Sequence, residues 1–236
     1  MMRFAVAKKV LLILTSQDVL GATGNQTGSW LEELAAPYWI FQDAGYSCEL
    51  ASIKGGPAPI DPMSSGAPWL TPAGERFRAD PEASGKLAST GVLESVDVKQ
   101  FDAIYLVGGA GAAYDFPNNE ALARTVSTTF TRGVPVAAVC HGVLGLVGAR
   151  DQSNASLVAK RKVTGVSNAE EAAVQYDKLL PQLPENALTK LGGVFSAAEP
   201  FSAHVVQDGN LFTGQNPPSA APLAKAVVSH LVSQSS

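Results

Sequence analysis

Cysteine and histidine are scarce in this sequence, and charge of either sign is moderate. The 236 residues include two cysteines and three histidines, and the cysteines do not form a C-x-x-C pair. We therefore expect neither a disulfide framework nor a structural metal site. The net charge of −4 shows no basic excess, which argues against nucleic acid as a partner.

Long apolar runs are also missing. No run approaches the roughly 18 residues that a membrane-spanning helix needs. The N-terminal segment leads into a strand pattern and not into the apolar core and cleavage site of a signal peptide. Together these absences predict a cytoplasmic protein without a membrane partner.

Apolar residues nevertheless make up 46% of the chain, and a chain of this length fits one α/β domain spanning residues 1–236, with a sizeable core. Strands are predicted over residues 10–16, 46–53, 101–107, 134–139, 163–166, 195, 205–206 and 211–212. Helices are predicted over residues 30–44, 118–132, 168–179, 185–191 and 220–233. This alternation predicts a mainly parallel, doubly wound sheet with helices on both faces.

Several element boundaries carry specific predictions. Thr27 or Ser29 is expected to cap the first helix, and Asn118 or Asn119 the second. Pro37 predicts a kink or an early break in the first helix, because proline has no N–H to donate. The other segments are predicted as a long loop over residues 54–68, mixed short helices over 69–98 and a turn at 207–210.

The most informative stretch is VPVAAVCHGVLGLVG, residues 134–148. Its first half is typical of a strand buried on both faces, and its second half of a short buried helix. Cys140 lies at the junction, so its side chain is expected to point into the crevice at the carboxyl end of the sheet. The small neighbours Ala138 and Gly142 leave room for such a nucleophile elbow. The helix N-terminus should favour a thiolate, whereas a lone cysteine elsewhere is usually a core residue.

A glycine-rich segment follows the strand over residues 101–107. Backbone N–H groups of Gly109, Ala110 and Gly111 can approach a ligand closely in such a turn. Tyr114 stands where the third glycine of G-x-G-x-x-G would be, so no dinucleotide cofactor is indicated. We predict a loop that binds an oxyanion or a carbonyl beside the elbow; the alternative is a plain tight turn.

A nucleophilic thiol needs a base or charge partner and a group that stabilises the developing anion. His141 adjoins Cys140, but adjacent side chains at a helix start diverge, so His141 need not be the direct base. Glu32 or Glu33 can face the same crevice from the first turn of the first helix. Other candidates are Glu170, Glu171 and His204, whereas Cys48 is interpreted as structural and His230 as a surface residue.

The elbow motif AAVCHG, residues 137–142, resembles that of the DJ-1/PfpI superfamily, and the resemblance runs almost end to end. It includes the motifs KVLLILTS at residues 9–16, TGSWLEE at 27–33, KGG at 54–56, DP at 61–62, GGAG at 108–111, DFP at 115–117 and DGNLFTGQNP at 208–217. The set looks most like the Hsp31-like branch, which includes glutathione-independent glyoxalases and stress chaperones. Ala138 stands where many superfamily members carry glycine, although alanine also occurs in this branch.

The resemblance implies a flavodoxin-like fold, commonly dimeric, with a reactive cysteine beside a protonated glutamate. Matching on Thr27 and Gly28 places that glutamate at Glu33 and not at Glu32. The family's histidine falls on His141, and a further acid falls on Glu171, although the neighbouring Glu170 leaves that register open. A homodimer is therefore expected.

A glyoxalase III activity, a lyase reaction, is the function that this resemblance implies. Cys140 would attack the aldehyde of methylglyoxal or a related 2-oxoaldehyde, and Glu33, with His141 nearby, would move a proton between the two carbons. Water would then release a 2-hydroxy acid. The small-molecule aldehyde is the expected partner, and neither a cofactor nor a metal is required.

Three other functions stay open. A class I glutamine amidotransferase shares the cysteine elbow but needs a late His-x-Glu, and Val205 and Val206 follow His204 here. A cysteine peptidase rests on fold analogy alone. A holdase chaperone or an oxidation sensor would use Cys140 without turnover, and a holdase should display an apolar patch.

Overall fold

The computed structural model describes residues 8–234, so the prediction that no signal peptide precedes the first strand concerns residues outside this range. The strands are β1 (Lys9–Leu14), β2 (Ser47–Ser52), β3 (Gly91–Val92), β4 (Ala103–Leu106), β5 (Val136–Val139), β6 (Lys162–Val163), β7 (Val194–Phe195), β8 (Val205–Asp208) and β9 (Leu211–Gly214). The α-helices are α1 (Leu31–Asp43), α2 (Pro72–Ala79), α3 (Pro81–Ala88), α4 (Ala112–Asp115), α5 (Glu120–Thr131), α6 (Asn168–Ala173), α7 (Pro184–Lys190) and α8 (Ala220–Ser233).

Seven strands form the main sheet in the order β3-β2-β1-β4-β5-β9-β8. All neighbouring pairs are parallel except β8 and β9, which form an antiparallel hairpin. The strand order reverses between β1 and β4, and a parallel sheet binds ligands at the carboxyl ends of the strands beside such a switch point. The predicted doubly wound, flavodoxin-like sheet is confirmed.

The sheet is covered on both faces because side chains of β1 alternate between two cores. Leu12 and Leu14 pack in one core with residues of α1 and α8, such as Leu34 and Val227. Leu11 and Ile13 point the other way, into a core that includes residues of α5 and of the segment after Cys140. Burial on both faces explains why the sequence of β1 is an almost continuous apolar run.

The structure corrects the predicted start of α1. Trp30 occupies the N-cap position without a side-chain cap bond, and the Ser64 hydroxyl accepts from the Leu31 N–H at 3.0 Å instead. Thr27 donates its hydroxyl to Asp61 at 3.0 Å, so neither predicted residue caps the helix. The helix also continues through Pro37 to Asp43, which makes the predicted early break wrong.

Two further elements differ from expectation. The strand expected over residues 163–166 is only Lys162–Val163, and it pairs with β7 in a separate two-stranded sheet. The helix expected over 168–179 ends at Ala173, because Gln175 adopts a left-handed conformation with φ of 61°. A short 3₁₀ turn, Tyr176–Lys178, follows it.

No helix within residues 8–234 has the length and apolar character needed to cross a membrane.

Candidate active site

Cys140 lies at the sharp turn between β5 and a fully buried 3₁₀ helix, Cys140–Leu146. Its φ of 55° is unusual for a residue other than glycine, and such strain is found at nucleophile elbows. Gly142 is required two residues later, because a Cβ at that position would collide with the carbonyl of Leu106 on β4. The chain therefore holds the Cys140 sulfur at the carboxyl end of the sheet, with 6% of the residue exposed.

A short hydrogen-bonded chain links Cys140 to a carboxylate. The Cys140 Sγ lies 3.4 Å from His141 Nδ1, and His141 Nε2 lies 2.8 Å from Glu171 Oε1. His141 thus contacts the sulfur directly, despite being the adjacent residue. Burial alone would lower the pKa of His141, but the carboxyl groups around it, Glu171 first and then Glu33 and Glu170, together raise it. The imidazole therefore holds a proton more readily than a free histidine.

Glu33 reaches the sulfur from the first turn of α1. It is fully buried, and neither carboxyl oxygen makes a hydrogen bond of good geometry to any of residues 8–234. Burial raises its pKa from 4.5 to about 8, even though His141, the Cys140 thiol and the Gly108 N–H each lower it. A carboxyl with that pKa can give or take a proton near neutral pH.

Glu32 behaves differently from its neighbour. Its carboxylate accepts a hydrogen bond from the Thr71 hydroxyl on the N-terminal side of α2. Burial raises its pKa, and the Thr71 hydrogen bond lowers it in part. The structure therefore places Glu33, and not Glu32, beside the Cys140 sulfur.

The environment of Cys140 opposes the thiolate that a helix N-terminus was expected to favour. Burial raises the pKa of the thiol well above its usual range, and the carboxyls of Glu33 and Glu171 raise it further. The helix-terminus effect is typically under 1 kcal/mol at an exposed site, which is small beside full burial. Because Glu33 and Cys140 both resist ionisation, the pair still holds, near neutral pH, the carboxyl proton that a solvated glutamate would have lost.

The glycine-rich turn after β4 packs against the elbow and the start of α1. A Cβ at Gly108 would lie 2.8 Å from the Cβ of Cys140, and Gly109 has a φ of 117° that favours glycine. Gly109 and Ala110 line the cavity above the sulfur. Gly111 does not, and its N–H donates to the Gly28 carbonyl at 3.4 Å, so of the three residues predicted to bind an oxyanion only Gly109 and Ala110 face the cavity.

Glu170 is the centre of a separate buried network. Its carboxylate accepts hydrogen bonds from the Ser167 N–H and hydroxyl, the Phe201 N–H, and the side-chain amides of Gln215 and Asn216, at 2.8 to 3.0 Å. These contacts tie α6 to the segment after β9 and to the loop that carries Phe201. Glu170 therefore shapes the cavity wall, whereas Glu171 is the acid that contacts His141.

The remaining candidates lie away from the sulfur. His204 Nε2 lies 3.0 Å from the Ser196 hydroxyl, and His230 packs its ring against Phe212 near the end of α8, with centroids 5.3 Å apart. Cys48 is buried in the core, and burial raises the pKa of its thiol to about 12. That environment suits the structural role predicted for Cys48.

A cavity of about 450 Å³ opens over Cys140, Glu33 and His141. Its acidic lining comprises Glu32, Glu33, Asp61, Glu170 and Glu171. Its apolar lining comprises Trp30, Met63, Pro68, Trp69, Val166, Val174, Tyr176, Phe201, Pro217 and Pro218. Within residues 8–234 there is no group of three or more His, Cys, Asp or Glu side chains arranged to hold a metal ion.

The sequence reasoning missed much of this lining. Asp61 belongs to the recognised DP motif, but nothing local predicts that it would face the cavity. Trp69 and Phe201 come from segments without clear periodicity, and Asn216 follows β9 in the DGNLFTGQNP motif. The paired acids Glu170 and Glu171 were the one available signal, although only the fold separates their roles.

Comparison with known proteins agrees with this geometry. The model of the family described as the DJ-1/PfpI family matches residues 25–230. The chain belongs to the DJ-1/PfpI family. Glyoxalase 3 of Candida albicans is 28% identical over 93% of this chain and 97% of its own length.

Other members of the DJ-1/PfpI family are similar along nearly the whole chain. Glutathione-independent glyoxalase HSP31 of Saccharomyces cerevisiae is 29% identical over 90% of this chain and 93% of its own. The crystal structure of Candida albicans glyoxalase III superposes with a TM-score of 0.84 at 27% identity, covering 94% of this chain and 96% of its own. The Rapid Encystment Protein of 24 kDa from Francisella tularensis gives 0.91 at 34% identity, covering 95% and 99%. The expected likeness to the Hsp31-type glyoxalases within the DJ-1/PfpI family is confirmed.

Proposed function

We propose that the protein is a glutathione-independent glyoxalase that converts methylglyoxal or a related 2-oxoaldehyde into a 2-hydroxy acid. The observation that carries the proposal is the buried Glu33 carboxyl beside Cys140, since its raised pKa of about 8 suits a group that moves a proton in both directions. The names of the two fungal relatives support the same reaction.

In the first step the Cys140 sulfur adds to the aldehyde carbon, and the carbonyl oxygen becomes the hydroxyl of a hemithioacetal. The sulfur gives up its proton and the oxygen gains one, with His141 at 3.4 Å from Sγ positioned to transfer it. Glu171 holds the imidazole in orientation through the 2.8 Å contact to Nε2. In this arrangement the thiol keeps its proton until a bound substrate offers an oxygen that can accept one.

In the second step Glu33 takes the proton from the carbon bonded to sulfur and returns it to the adjacent carbonyl carbon through an enediol. The product of this transfer is a thioester that carries the hydroxyl on its second carbon. Water then cleaves the thioester, which releases the 2-hydroxy acid and restores the Cys140 thiol. Backbone N–H groups near Gly109 and at the elbow would stabilise the enediolate oxygen. The overall change is addition of water, so no redox cofactor is consumed.

A second candidate is acyl transfer by an amidase or peptidase. The chain Cys140–His141–Glu171 has the order of a nucleophile, base and orienting acid, which favours this reading. Such a reaction needs His141 to protonate a leaving amine but has no step for Glu33. Loss of activity on replacing Glu33 with glutamine therefore separates the two reactions.

The decisive experiment measures turnover of methylglyoxal without glutathione, with lactate identified as the product. We expect Cys140→Ala to abolish turnover and Glu33→Gln to lower kcat by roughly a hundredfold or more. Cys48→Ala is the matched control, because Cys48 is the other buried cysteine and lies outside the cavity. Failure of the wild-type protein to turn over any 2-oxoaldehyde would reject the proposal.

We also propose a homodimer, from the family resemblance, and a cytoplasmic location, from the sequence pattern. Light scattering coupled to size-exclusion chromatography would test the homodimer. A holdase or an oxidation sensor stays an alternative function. Retained holdase activity in Cys140→Ala, together with no turnover by the wild-type protein, would favour it.

A further inference from the structure

The cavity is much larger than the smallest 2-oxoaldehydes require. Its volume of about 450 Å³ falls within the range of roughly 300 to 1,000 Å³ that is typical of pockets for ligands of many atoms. Methylglyoxal carries a single methyl group beyond its two carbonyls. It would occupy the space next to Cys140 and leave most of the cavity unfilled.

The unfilled part of the cavity has an aromatic wall. Trp30 and Trp69 meet edge to face, with ring centroids 5.8 Å apart and an interplanar angle of 74°. Four large apolar side chains that are about half exposed, Met63, Trp69, Val174 and Phe201, all line this one cavity. Exposed apolar groups gathered around a concave site, and not scattered singly, mark a surface that binds an apolar ligand.

Backbone hydrogen bonds at the start of α1 hold Trp30 in a fixed position relative to Glu33. Trp30 directly precedes α1, and its N–H donates to the Gly108 carbonyl at 2.9 Å. Glu33 lies three residues further along the helix, and its N–H donates back to the Trp30 carbonyl at 3.0 Å. A ligand group held against Trp30 and Trp69 is therefore in a fixed position relative to Glu33.

Charge restricts the ligand further. Five carboxyl side chains line the cavity, and no lysine or arginine from residues 8–234 does. An anionic ligand would approach this acidic surface without a cationic partner other than His141, whose charge is already matched by Glu171 at 2.8 Å. The cavity therefore favours an uncharged ligand, and it disfavours retention of the anionic 2-hydroxy acid that the reaction would form.

We propose that the preferred substrate is an uncharged 2-oxoaldehyde with a bulky aromatic substituent, an arylglyoxal, whose ring packs against Trp30 and Trp69 while its aldehyde carbon faces Cys140. This inference rests on the proposed glyoxalase function and names its substrate class. Burial of the ring against apolar walls supplies binding energy that the methyl group of methylglyoxal cannot.

The test compares initial rates on phenylglyoxal and methylglyoxal for the wild-type protein and for Trp69→Ala, Trp69→Phe and Val194→Ala. We expect kcat/KM to be at least about tenfold higher for phenylglyoxal. Trp69→Ala should reduce this ratio by roughly tenfold, and Trp69→Phe should restore part of it. Val194 is also an exposed apolar residue but lies outside the cavity, so Val194→Ala should keep the wild-type ratio. Turnover of methylglyoxal with an equal or higher kcat/KM would overturn the inference and leave the proposed function intact.

A binding measurement keeps the inference testable if neither aldehyde is turned over, which would reject the glyoxalase function. Calorimetry on Cys140→Ala would compare 2-hydroxyacetophenone with hydroxyacetone and with the anion mandelate. Tightest binding of 2-hydroxyacetophenone, lost in the Cys140→Ala, Trp69→Ala double variant, would support an apolar subsite for uncharged aromatic carbonyl compounds. Equal binding of the three compounds, or tightest binding of mandelate, would overturn it.

Discussion

Glu33, His141 and Glu171 surround the Cys140 sulfur, and the two glutamates differ in how their buried carboxyl groups are compensated. Glu33 has no hydrogen bond of good geometry among the described residues, whereas Glu171 is matched by His141. A buried carboxyl without a partner avoids the cost of charge by keeping its proton. The raised pKa of Glu33, about 8, therefore affects the stability of the folded protein as well as its proposed proton-transfer role.

The stability of the protein should depend on pH through Glu33. Unfolding exposes the carboxyl, whose pKa then returns to 4.5, whereas the folded value is about 8. Between these values the folded state holds a proton that the unfolded state has lost, so the free energy of unfolding falls as pH rises. Glu33→Gln removes this penalty. Its stability relative to the wild-type protein should rise from pH 4.5 to about pH 8, by on the order of a few kcal/mol, and then level off.

Urea denaturation at several pH values would measure this difference. The comparison should be repeated in a Cys140→Ala background, because burial and the neighbouring Glu33 carboxyl raise the pKa of the Cys140 thiol, so the two groups affect each other's ionisation. A difference between the glutamate and glutamine forms that stays flat across this pH range would contradict the raised pKa.

At the level of elements, strands and helices with a regular apolar pattern were predictable from the sequence, whereas the exact helix boundaries were not. The apolar runs of β1, β4 and β5 and the final helix Ala220–Ser233 follow from local pattern. The start of α1 does not, because its first N–H group bonds to Ser64, a residue 33 positions away whose approach depends on the folded loop. Pro37 was expected to kink or break the first helix early, and the break does not occur because α1 continues to Asp43, packed against α8.

The site was predictable to the same extent. Cys140, His141 and one of two adjacent glutamates follow from the strand–turn–helix pattern, since the carboxyl ends of parallel strands meet. The assignment to Glu33 came from a family motif, and the structure agrees through its contact with the sulfur. The aromatic wall of Trp30 and Trp69 could not be predicted. The weak periodicity around Trp69 does not show which side of that segment is buried, and only the fold brings Trp69 next to Trp30.

The capping of α5 offers a clean test of local sequence reasoning. Asn119 occupies the N-cap position, and its side-chain oxygen accepts from the Leu122 N–H at 2.8 Å. Asn119→Ala should lower the free energy of unfolding by about 1 kcal/mol. Asn118→Ala is the matched control, since Asn118 is exposed and precedes the cap. Chemical denaturation would measure both, and equal effects of the two substitutions would contradict the assignment.

Over the whole molecule, the helices α1 and α8, which lie far apart in the sequence, share one core. Leu34 and Phe41 of α1 pack with Leu223 and Val227 of α8 on the same face of the sheet. The central strand β1 pairs with β2 on one side and with β4 on the other. Removal of either helix would therefore expose apolar surface of the other. This arrangement supports the proposal that residues 1–236 form a single domain.

A single domain should unfold in one cooperative transition, and the chain provides probes at separate places. All three tryptophans, Trp30, Trp39 and Trp69, lie in the first third of the sequence, so their fluorescence follows that part. In Cys48→Ala, the rate at which a thiol reagent modifies the buried Cys140 follows β5, and far-ultraviolet circular dichroism follows the helices through α8. We expect the three denaturation midpoints to coincide, because loss of the core between α1 and α8 removes the support of both. Separate midpoints for the tryptophan and Cys140 signals would instead show that the chain folds as two units, and the shared core would then contribute little to the stability of either.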